Sequence, residues 1–371
     1  MLEVDKSLAE KVGFNPYYSI FDNKVYIDLA SNNYLGLAEH EKVKSSAVSA
    51  IQKYGVSMCG TPIATGYTEL FKDTEERLSK FVGLDDTIIF PSCYQANNGF
   101  FSILANKEDF VIVDRLAHSS LIQGIKMIGC KITPFLHNDM NHLESILKRS
   151  GKFKRIFVVT ESVFSTEGSI APLDIIAVLC ENYGAVPVVD DSHGIGVIGE
   201  NGKGVLERFN LSNFNGIYTA SLGKAIANTG GMVSGNGKII EYLRYYCSQL
   251  VYSTALPPAV LGGINGALDV IASDFGKLSD TMWNYKRLIY NEIGGLTDKL
   301  IKSESPINAV KTNSAEETLK LTKKLFENRI YVTPFIEPSV PVDCGVVRMI
   351  AGAGLTEEQV KCAINKIKNI I

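Results

Sequence analysis

Polar and charged side chains follow five predicted strands of the chain, at the point where each apolar run ends. They fall in five short segments, at residues 92–97, 114–118, 161–162, 190–193 and 221–224. In an open α/β sheet, ligands bind beyond the carboxyl ends of the strands. Each segment alone is typical of a polar loop, but the five together predict one site with carboxylates, imidazoles and an amine.

Asp190 ends the apolar run Val-Pro-Val-Val, so its carboxylate is expected to be partly buried. A buried carboxylate needs a cationic partner or several hydrogen-bond donors. Two interpretations remain open at this stage. Asp190 either caps the segment that follows it or pairs with a protonated ring nitrogen of a ligand.

Lys224 stands among small residues and glycines, between two predicted apolar strands. Most lone lysines are solvated, but this one lacks the charged neighbours of a solvated surface. Desolvation lowers the pKa of a lysine amine and makes it a nucleophile that can form a Schiff base. A solvated lysine and a nucleophilic lysine both remain possible interpretations.

Two further features have an ordinary and a functional interpretation. Residues 194–199 have the spacing G-x-G-x-x-G, but polar residues separate them from the preceding strand and turn residues follow them, which favours tight turns over dinucleotide binding. Arg348 lies in an apolar strand. It is either half-buried with an exposed head or a bidentate partner for a substrate carboxylate.

The composition describes an ordinary globular protein. The 371 residues predict two or three domains, or one large α/β domain with an appendage. Hydrophobic residues make up 46% and charged residues 21%, which excludes a disordered chain, a collagen-like fibre and a disulfide mini-protein. The net charge of −3 gives no global field that would attract nucleic acid.

No apolar run approaches the about 20 residues that span a bilayer, and the N-terminus has no secretory h-region. The 7 cysteines are widely spaced and form no C-x-x-C motif, so we expect neither disulfides nor zinc, and a cytoplasmic protein. His137 and His142 have no third ligand nearby in sequence, so we expect no metal site.

Short apolar strands alternate with helical patterns through the middle of the chain. The predicted strands are 87–90, 110–113, 155–160, 185–190, 217–219 and 231–234. This alternation predicts βαβ units and a mainly parallel sheet with both faces covered. The end of the chain predicts a small α+β unit. We therefore expect an N-terminal segment 1–44, a large domain 45–260 and a small C-terminal domain 261–371.

Motifs along almost the whole chain are similar to those of the α-oxoamine synthases, a family of pyridoxal-phosphate (PLP) enzymes. The most specific pair is Asp-x-x-His at 190–193 followed by Leu-Gly-Lys-Ala at 222–225. Further matching segments lie at 31–37, 66–70, 118–124, 161–168, 194–204, 252–258 and 340–341. The resemblance implies an α/β chain of PLP-dependent transferase fold type I (aspartate aminotransferase-like), and a homodimer with shared active sites.

The resemblance also implies roles for individual residues. Lys224 would carry PLP as a Schiff base and later move the substrate α-proton, while Asp190 would keep the ring nitrogen protonated. His118 would stack on the ring and His193 would bond its phenolic oxygen. The phosphate would be held at Ser92, Cys93, Tyr94 and Ser221, and by Thr254 of the neighbouring subunit. Glu161 and Ser162 would border the ring. Asn33 and Arg348 would hold the amino-acid substrate.

The implied activity is an acyltransferase reaction of the EC 2.3.1 type. A small amino acid (glycine, alanine or serine) condenses with an acyl thioester such as an acyl-CoA, usually with loss of CO2, to give an α-amino ketone and CoA. The alternative is another PLP reaction on the same fold, namely aldol cleavage, decarboxylation or transamination. A non-catalytic partner subunit is disfavoured because Lys224 is present.

Three positions depart from the family pattern. Pro62 stands where the family usually has arginine, Phe71 replaces a histidine, and Lys203 replaces the arginine of a Gly-Arg-Gly turn. In the family these positions lie near the dimer contact and the entrance for the acyl donor. They bear on the identity of the acyl donor more than on the PLP chemistry.

Overall fold

The chain is described by a computed structural model that covers residues 6–16, 26–295 and 297–371. Residues 1–5 and 17–25 of the predicted N-terminal segment lie outside the described residues. The chain divides into two compact units. We call residues 37–164 and 170–276 the sheet unit, and the described residues of 1–36, 165–169 and 277–371 the terminal unit.

The sheet unit contains a seven-stranded sheet in the order β2-β8-β7-β6-β5-β3-β4. Its strands are β2 (Asp86–Phe90), β3 (Phe110–Asp114), β4 (Lys131–Phe135), β5 (Ile156–Glu161), β6 (Val186–Asp190), β7 (Ile217–Ser221) and β8 (Gly231–Gly235). Neighbouring strands from β7 to β4 run parallel, and β8 runs antiparallel to both of its neighbours. The sheet is therefore mainly parallel, as the sequence predicts.

Nine helices belong wholly to the described residues of the sheet unit. They are α2 (Glu41–Tyr54), α3 (Glu69–Val82), α4 (Cys93–Leu104), α5 (Ser119–Ile128), α6 (Met140–Leu147), α7 (Leu173–Tyr183), α8 (Val205–Arg208), α9 (Gly237–Tyr246) and α10 (Ser248–Val251). A 3-10 turn lies at Leu37–Glu39 and a π-helical turn at Pro62–Gly66. Most of these helices connect successive strands, which is the connection that parallel strands require.

The core of the sheet unit forms where α4 and α5 pack beside the central strands. Strands β3 and β5 are buried at every position, because a sheet covered on both faces has no solvent side. Strand β4 was not predicted. Its Lys131 and Pro134 are exposed at the edge of the sheet and interrupt the apolar pattern that the inner strands show.

The terminal unit combines helices with two small sheets. Its elements are α1 (Lys6–Val12), β1 (Ile27–Asp28), β9 (Ile307–Thr312), α12 (Ala315–Glu327), β10 (Ile330–Tyr331), β11 (Thr333–Phe335), β12 (Gly345–Ile350) and α13 (Glu357–Lys368). Strands β11, β12 and β9 form an antiparallel sheet, and β1 pairs with β10. Helix α11 (Pro258–Gly294) begins in the residues of the sheet unit and ends in those of the terminal unit.

A core substitution in α5 tests this packing. Leu121 is fully buried, so Leu121→Ala should lower the free energy of unfolding by about 2–5 kcal/mol through lost burial and a residual cavity. Met127 lies on the same helix with 61% of its surface exposed, and Met127→Ala is the matched control with an effect within about 0.5 kcal/mol. Urea denaturation of both variants measures the difference. Equal losses would contradict the assigned core face of α5.

Candidate active site

The carboxyl ends of β5, β6 and β7 bring several of the predicted residues to one edge of the sheet. Glu161 is opposite Asp190 in the β5–β6 ladder, and Asp190 is opposite Thr219 in the β6–β7 ladder. Ser221 then ends β7, and its backbone N–H donates to Ser192 Oγ at 2.9 Å. Three of the five polar segments therefore meet in space, because parallel strands end at the same edge.

Asp190 is only 5% exposed, and hydrogen bonds hold both of its carboxylate oxygens. Asn97 Nδ2 donates to Oδ2 at 2.8 Å, and the backbone N–H of Ser192 donates to Oδ1 at 3.0 Å. Capping of the segment that follows therefore explains the hydrogen bond to Oδ1 but not the one to Oδ2. No cationic side chain of the described residues forms an ion pair with Asp190. The carboxylate is therefore available to a protonated ligand nitrogen.

His118 precedes α5 and caps the helix with its imidazole. Its Nδ1 lies 2.8 Å from Ser120 Oγ and accepts the Ser120 backbone N–H at 3.3 Å. Partial desolvation lowers the pKa of His118; the charge of Asp190 opposes this effect, and the charge of Lys224 adds to it. The ring is therefore neutral near pH 7, although the residue as a whole keeps a solvent-exposed surface.

Lys224 is half-buried in the turn between β7 and β8. Its carbonyl accepts the Ala227 N–H at 2.8 Å, and Ala227 has a φ of 58°, a left-handed conformation that is rare for a residue with a side chain. The charge of Lys224 acts on both His118 and Cys93. The turn thus places the amine close to the edge where Asp190 lies.

Helix α4 begins immediately after β2, and its first two amides have no acceptor. Ser92 Oγ accepts the Gln95 N–H at 3.1 Å, and the Ser92 carbonyl accepts the Ala96 N–H at 3.0 Å. Among the described residues nothing accepts from the N–H groups of Cys93 and Tyr94. Free amides at a helix N-terminus suit an anion such as a phosphate.

Gly231 allows β8 to pass close to the start of α4. A Cβ at this position would lie 2.3 Å from the Cys93 nitrogen, which is closer than any side chain permits. Gly231 is also the ladder partner of Ser221, and the bridge between Ser92 and Gly230 extends the same contact. The Ser221 hydroxyl and the free amides of α4 therefore lie on either side of one pair of glycines.

Asp191 lies beneath this edge and is completely buried. Tyr218 Oη donates to its Oδ2 at 2.7 Å, and the Val205 N–H donates to the same oxygen at 3.0 Å. Burial raises the pKa of Asp191 to about 7. A Cβ at Gly194 or Gly204 would collide with this carboxylate, so the backbone can turn around it only with glycine at these two positions. The predicted tight turns are present at residues 194–204, where Gly196, Gly199, Gly202 and Gly204 have positive φ.

The remaining sheet-unit candidates differ in exposure. Glu161, Ser162 and His193 are buried. Thr254 is exposed in the loop between α10 and α11. The assigned contacts of all four with a cofactor or a neighbouring subunit stay predictions.

Arg348 and Asn33 belong to the terminal unit. Arg348 is 4% exposed, so a half-buried arginine with an exposed head is wrong. Its guanidinium donates to the Ser165 carbonyl at 2.9 Å and lies over the Phe335 ring, while its Nε has no hydrogen-bond partner among the described residues. Burial lowers the pKa of Arg348. Asn33 is half-buried, and its carbonyl accepts the Gly36 N–H at 3.1 Å.

Sequence reasoning did not select Asn97, Ser120 or Ser192, although all three lie within the motifs. Asn97 is fully buried, and it joins Asp190 to Ser120. The available signal was an asparagine on the otherwise apolar side of α4. Which acceptors it meets depends on strands and helices far away in the chain, and the spacing of residues does not reveal them.

The family model described as aminotransferase class I and II matches residues 24–367. The chain belongs to this family. It is 33% identical over 368 residues to the 8-amino-7-oxononanoate synthase of Alkaliphilus oremlandii, which covers 99% of this chain and 93% of the relative. The serine palmitoyltransferase of Sphingomonas wittichii superposes with a TM-score of 0.92 at 27% identity, covering 99% and 96% of the two chains.

Both relatives are α-oxoamine synthases, so the resemblance drawn from the motifs and the fold type I prediction are confirmed. The family indicates PLP as the cofactor and an enzyme of the acyltransferase type. The donor set at the sheet edge fits that cofactor: the helix amides without an acceptor suit its phosphate, the buried Asp190 carboxylate has no ion-pair partner among the described residues, and Lys224 acts electrostatically on the neighbouring His118.

The three departures from the family pattern have ordinary structural positions. Pro62 begins the π-helical turn, Phe71 is 2% exposed and packs against Tyr67 with ring centroids 5.6 Å apart, and the Lys203 N–H donates to Glu207.

No described helix could cross a membrane. Within the described residues no group of three His, Cys, Asp or Glu side chains could hold a metal ion.

The raised pKa of Asp191 predicts a pH-dependent stability. Unfolded aspartate has a pKa of about 3.9, so between pH 4 and 7 the native chain binds more protons at Asp191 than the unfolded chain does. This contribution to stability is complete below pH 4 and is lost as the pH rises to 7. Asp191→Asn removes this pH dependence. As the pH rises from 5 to 8, the melting temperature of the wild type should therefore fall relative to that of the variant.

Melting temperatures of both proteins at pH 5, 6, 7 and 8 measure this difference. Asp85→Asn, at an exposed aspartate, controls for the loss of one negative charge. A constant difference between wild type and Asp191→Asn across this range would show that Asp191 is ionised throughout.

Proposed function

We propose that this chain condenses glycine, alanine or serine with an acyl-CoA, releasing CoA and usually CO2, to give an α-amino ketone. The observation that carries the proposal is the convergence of Lys224 and Asp190 on His118, since both charges act on that imidazole. An amine, a buried carboxylate and a neutral imidazole at one sheet edge suit PLP chemistry. The names of the relatives, an oxononanoate synthase and a palmitoyltransferase, support acyl transfer.

The cofactor would be held by residues of four elements. The amides of Cys93 and Tyr94 with Ser221 Oγ would bind its phosphate, because free helix amides favour anions. Asp190 would hold a proton on the ring nitrogen, supported by the Asn97 and Ser192 bonds that fix its carboxylate. Ser92, as the cap of α4, would orient the amides; His118, His193, Glu161 and Ser162 would surround the ring.

Lys224 is the group that we assign to covalent attachment and proton transfer. When bound, PLP supplies an electron sink for the negative charge that develops at the substrate α-carbon. Lys224 Nζ would form the covalent attachment to the cofactor and would later take the α-proton. The half-buried position of Lys224 in the turn after β7 supports this assignment.

Arg348 is the proposed partner of the amino-acid carboxylate, with Asn33 beside it in this role. The guanidinium is buried, and among the described residues it has no carboxylate partner. A buried cation without an anion is costly, so a substrate carboxylate would supply the missing charge. The bidentate geometry of arginine suits that ligand better than a lysine would.

A homodimer with shared active sites belongs to the same proposal. Four tyrosines near the proposed dimer residue Thr254 in sequence are strongly exposed: Tyr242 (48%), Tyr245 (62%), Tyr246 (61%) and Tyr252 (84%). Exposed aromatic side chains in one region are typical of protein interfaces. In the dimer Thr254 would reach the cofactor phosphate of the neighbouring subunit.

Product analysis tests the proposed reaction and its alternative. PLP-loaded protein is incubated with glycine, alanine or serine, each with acetyl-CoA, a medium-chain acyl-CoA or palmitoyl-CoA, and free CoA thiol and the ketone product are measured. Release of CoA with one amino acid supports the condensation and identifies the substrate. Amino-acid turnover without CoA release from any donor would favour aldol cleavage, decarboxylation or transamination instead.

Lys224→Ala tests the assigned lysine. The variant should lose the visible absorbance of lysine-bound PLP and at least about 1,000-fold of its turnover, because no other group at this position forms the covalent link. Lys238, an exposed lysine at the start of α9, gives the matched control Lys238→Ala, which should keep both. A retained absorbance band in Lys224→Ala would mean that another lysine carries the cofactor.

A further inference from the structure

Four side chains form a continuous chain of hydrogen bonds across the candidate site, which we call the site relay. Asn97 Nδ2 lies 2.8 Å from Asp190 Oδ2 and 2.9 Å from Ser120 Oγ. Ser120 Oγ in turn lies 2.8 Å from His118 Nδ1. The relay thus joins the residue at the end of β6 to the residue that caps α5, through α4.

The direction of the first two bonds follows from the chemistry of the amide. The Nδ2 group of Asn97 carries two hydrogens and can only donate, so it uses one on Asp190 and one on Ser120. The opposite amide orientation would place Oδ1 against the Asp190 carboxylate, where two acceptors would repel each other. In the orientation described, Oδ1 is buried and has no partner among the described residues.

The direction of the third bond follows from the second. The hydroxyl of Ser120 accepts from Asn97, and its single hydrogen is free to donate to His118 Nδ1. The backbone N–H of Ser120 points at the same nitrogen at 3.3 Å and is itself a donor. His118 Nδ1 therefore faces two donors and is an acceptor, which leaves the ring proton on Nε2.

We propose that Asn97 and Ser120 are positioning residues that hold His118 as the neutral imidazole protonated at Nε2. The importance of this tautomer for catalysis rests on the proposed function, in which His118 lies against the cofactor ring. The tautomer itself is a property of this chain's own residues.

A charged His118 would disrupt the relay. A proton on Nδ1 would point at the Ser120 hydroxyl and the Ser120 N–H, so the hydroxyl would have to turn away and the amide would face a like partial charge. The lowered pKa of His118 agrees with this arrangement, with Asp190 and Lys224 as the charged groups that act on the ring. The relay therefore fixes the orientation of the ring as well as its protonation.

Nitrogen NMR of the full-length chain labelled with 15N-histidine tests the proposal directly. Two-bond 1H–15N correlations distinguish protonated from unprotonated ring nitrogens, and the His118 signals are assigned by their loss in His118→Gln. We expect an unprotonated Nδ1 and a protonated Nε2 at pH 7.5, with and without PLP. His142, whose Nδ1 accepts the Leu136 N–H at 2.9 Å, is an internal reference.

Two variants test the parts of the relay. Ser120→Ala removes the hydroxyl donor, so a mixture of tautomers should replace the single His118 tautomer and the pKa of His118 should rise. Asn97→Leu should cause the same change, although Asn97 does not bond His118. Ser119→Ala, at an exposed neighbour in the same helical turn, is the matched control and should leave the His118 signals unchanged.

Two results would overturn the proposal: a proton on Nδ1 of His118 in the wild type, or unchanged His118 signals in a folded Ser120→Ala variant. The wild-type spectrum alone shows which ring nitrogen of His118 carries the proton, so the proposal can be tested even if a variant does not fold. Failure to bind PLP would contradict the proposed function but would leave the tautomer measurement in the cofactor-free chain intact.

Discussion

Burial of the Asp190 carboxylate is the constraint on which the candidate site depends. A carboxylate with so little exposed surface needs donors fixed at both oxygens, and Asn97 and Ser192 supply them. These donors come from α4 and from the segment after β6, so the requirement fixes where the two elements lie. The same asparagine then reaches Ser120, which makes the capping imidazole of His118 part of one polar network. A network of this kind is stable only when its bonds are all directed consistently.

Close backbone approach is the second constraint. The contact between β8 and the start of α4 exists only because residue 231 lacks a side chain, and the turns around Asp191 depend on glycine in the same way. The antiparallel direction of β8 brings Gly231 opposite Ser221, at the edge where the parallel strands end. The free amides of Cys93 and Tyr94 owe their position to this packing, so the proposed anion site is a consequence of sheet topology.

Some buried carboxylates of this chain have an ion-pair partner, whereas the buried guanidinium of Arg348 has none among the described residues. Asp109 is fully buried and paired by Arg155 through two bonds, so its charge is compensated within the fold. Glu75 is likewise paired with Arg244, although burial still raises the pKa of Glu75 to about 7. Arg348 has no such carboxylate among the described residues. A structural role accounts for the first two pairs, whereas an unpaired buried cation is a feature expected of a ligand site.

The sequence by itself determined the fold class, the family and the position of Lys224, Asp190 and His118 in their motifs. Apolar runs and the helical patterns between them are local properties, so strands such as β3 and β5 could be predicted from the sequence pattern alone. The tertiary structure decided the antiparallel direction of β8, the edge strand β4 and the partners of Asn97. Such contacts join residues that are distant in the chain, and their distances and hydrogen-bond directions arise only when separate elements pack together.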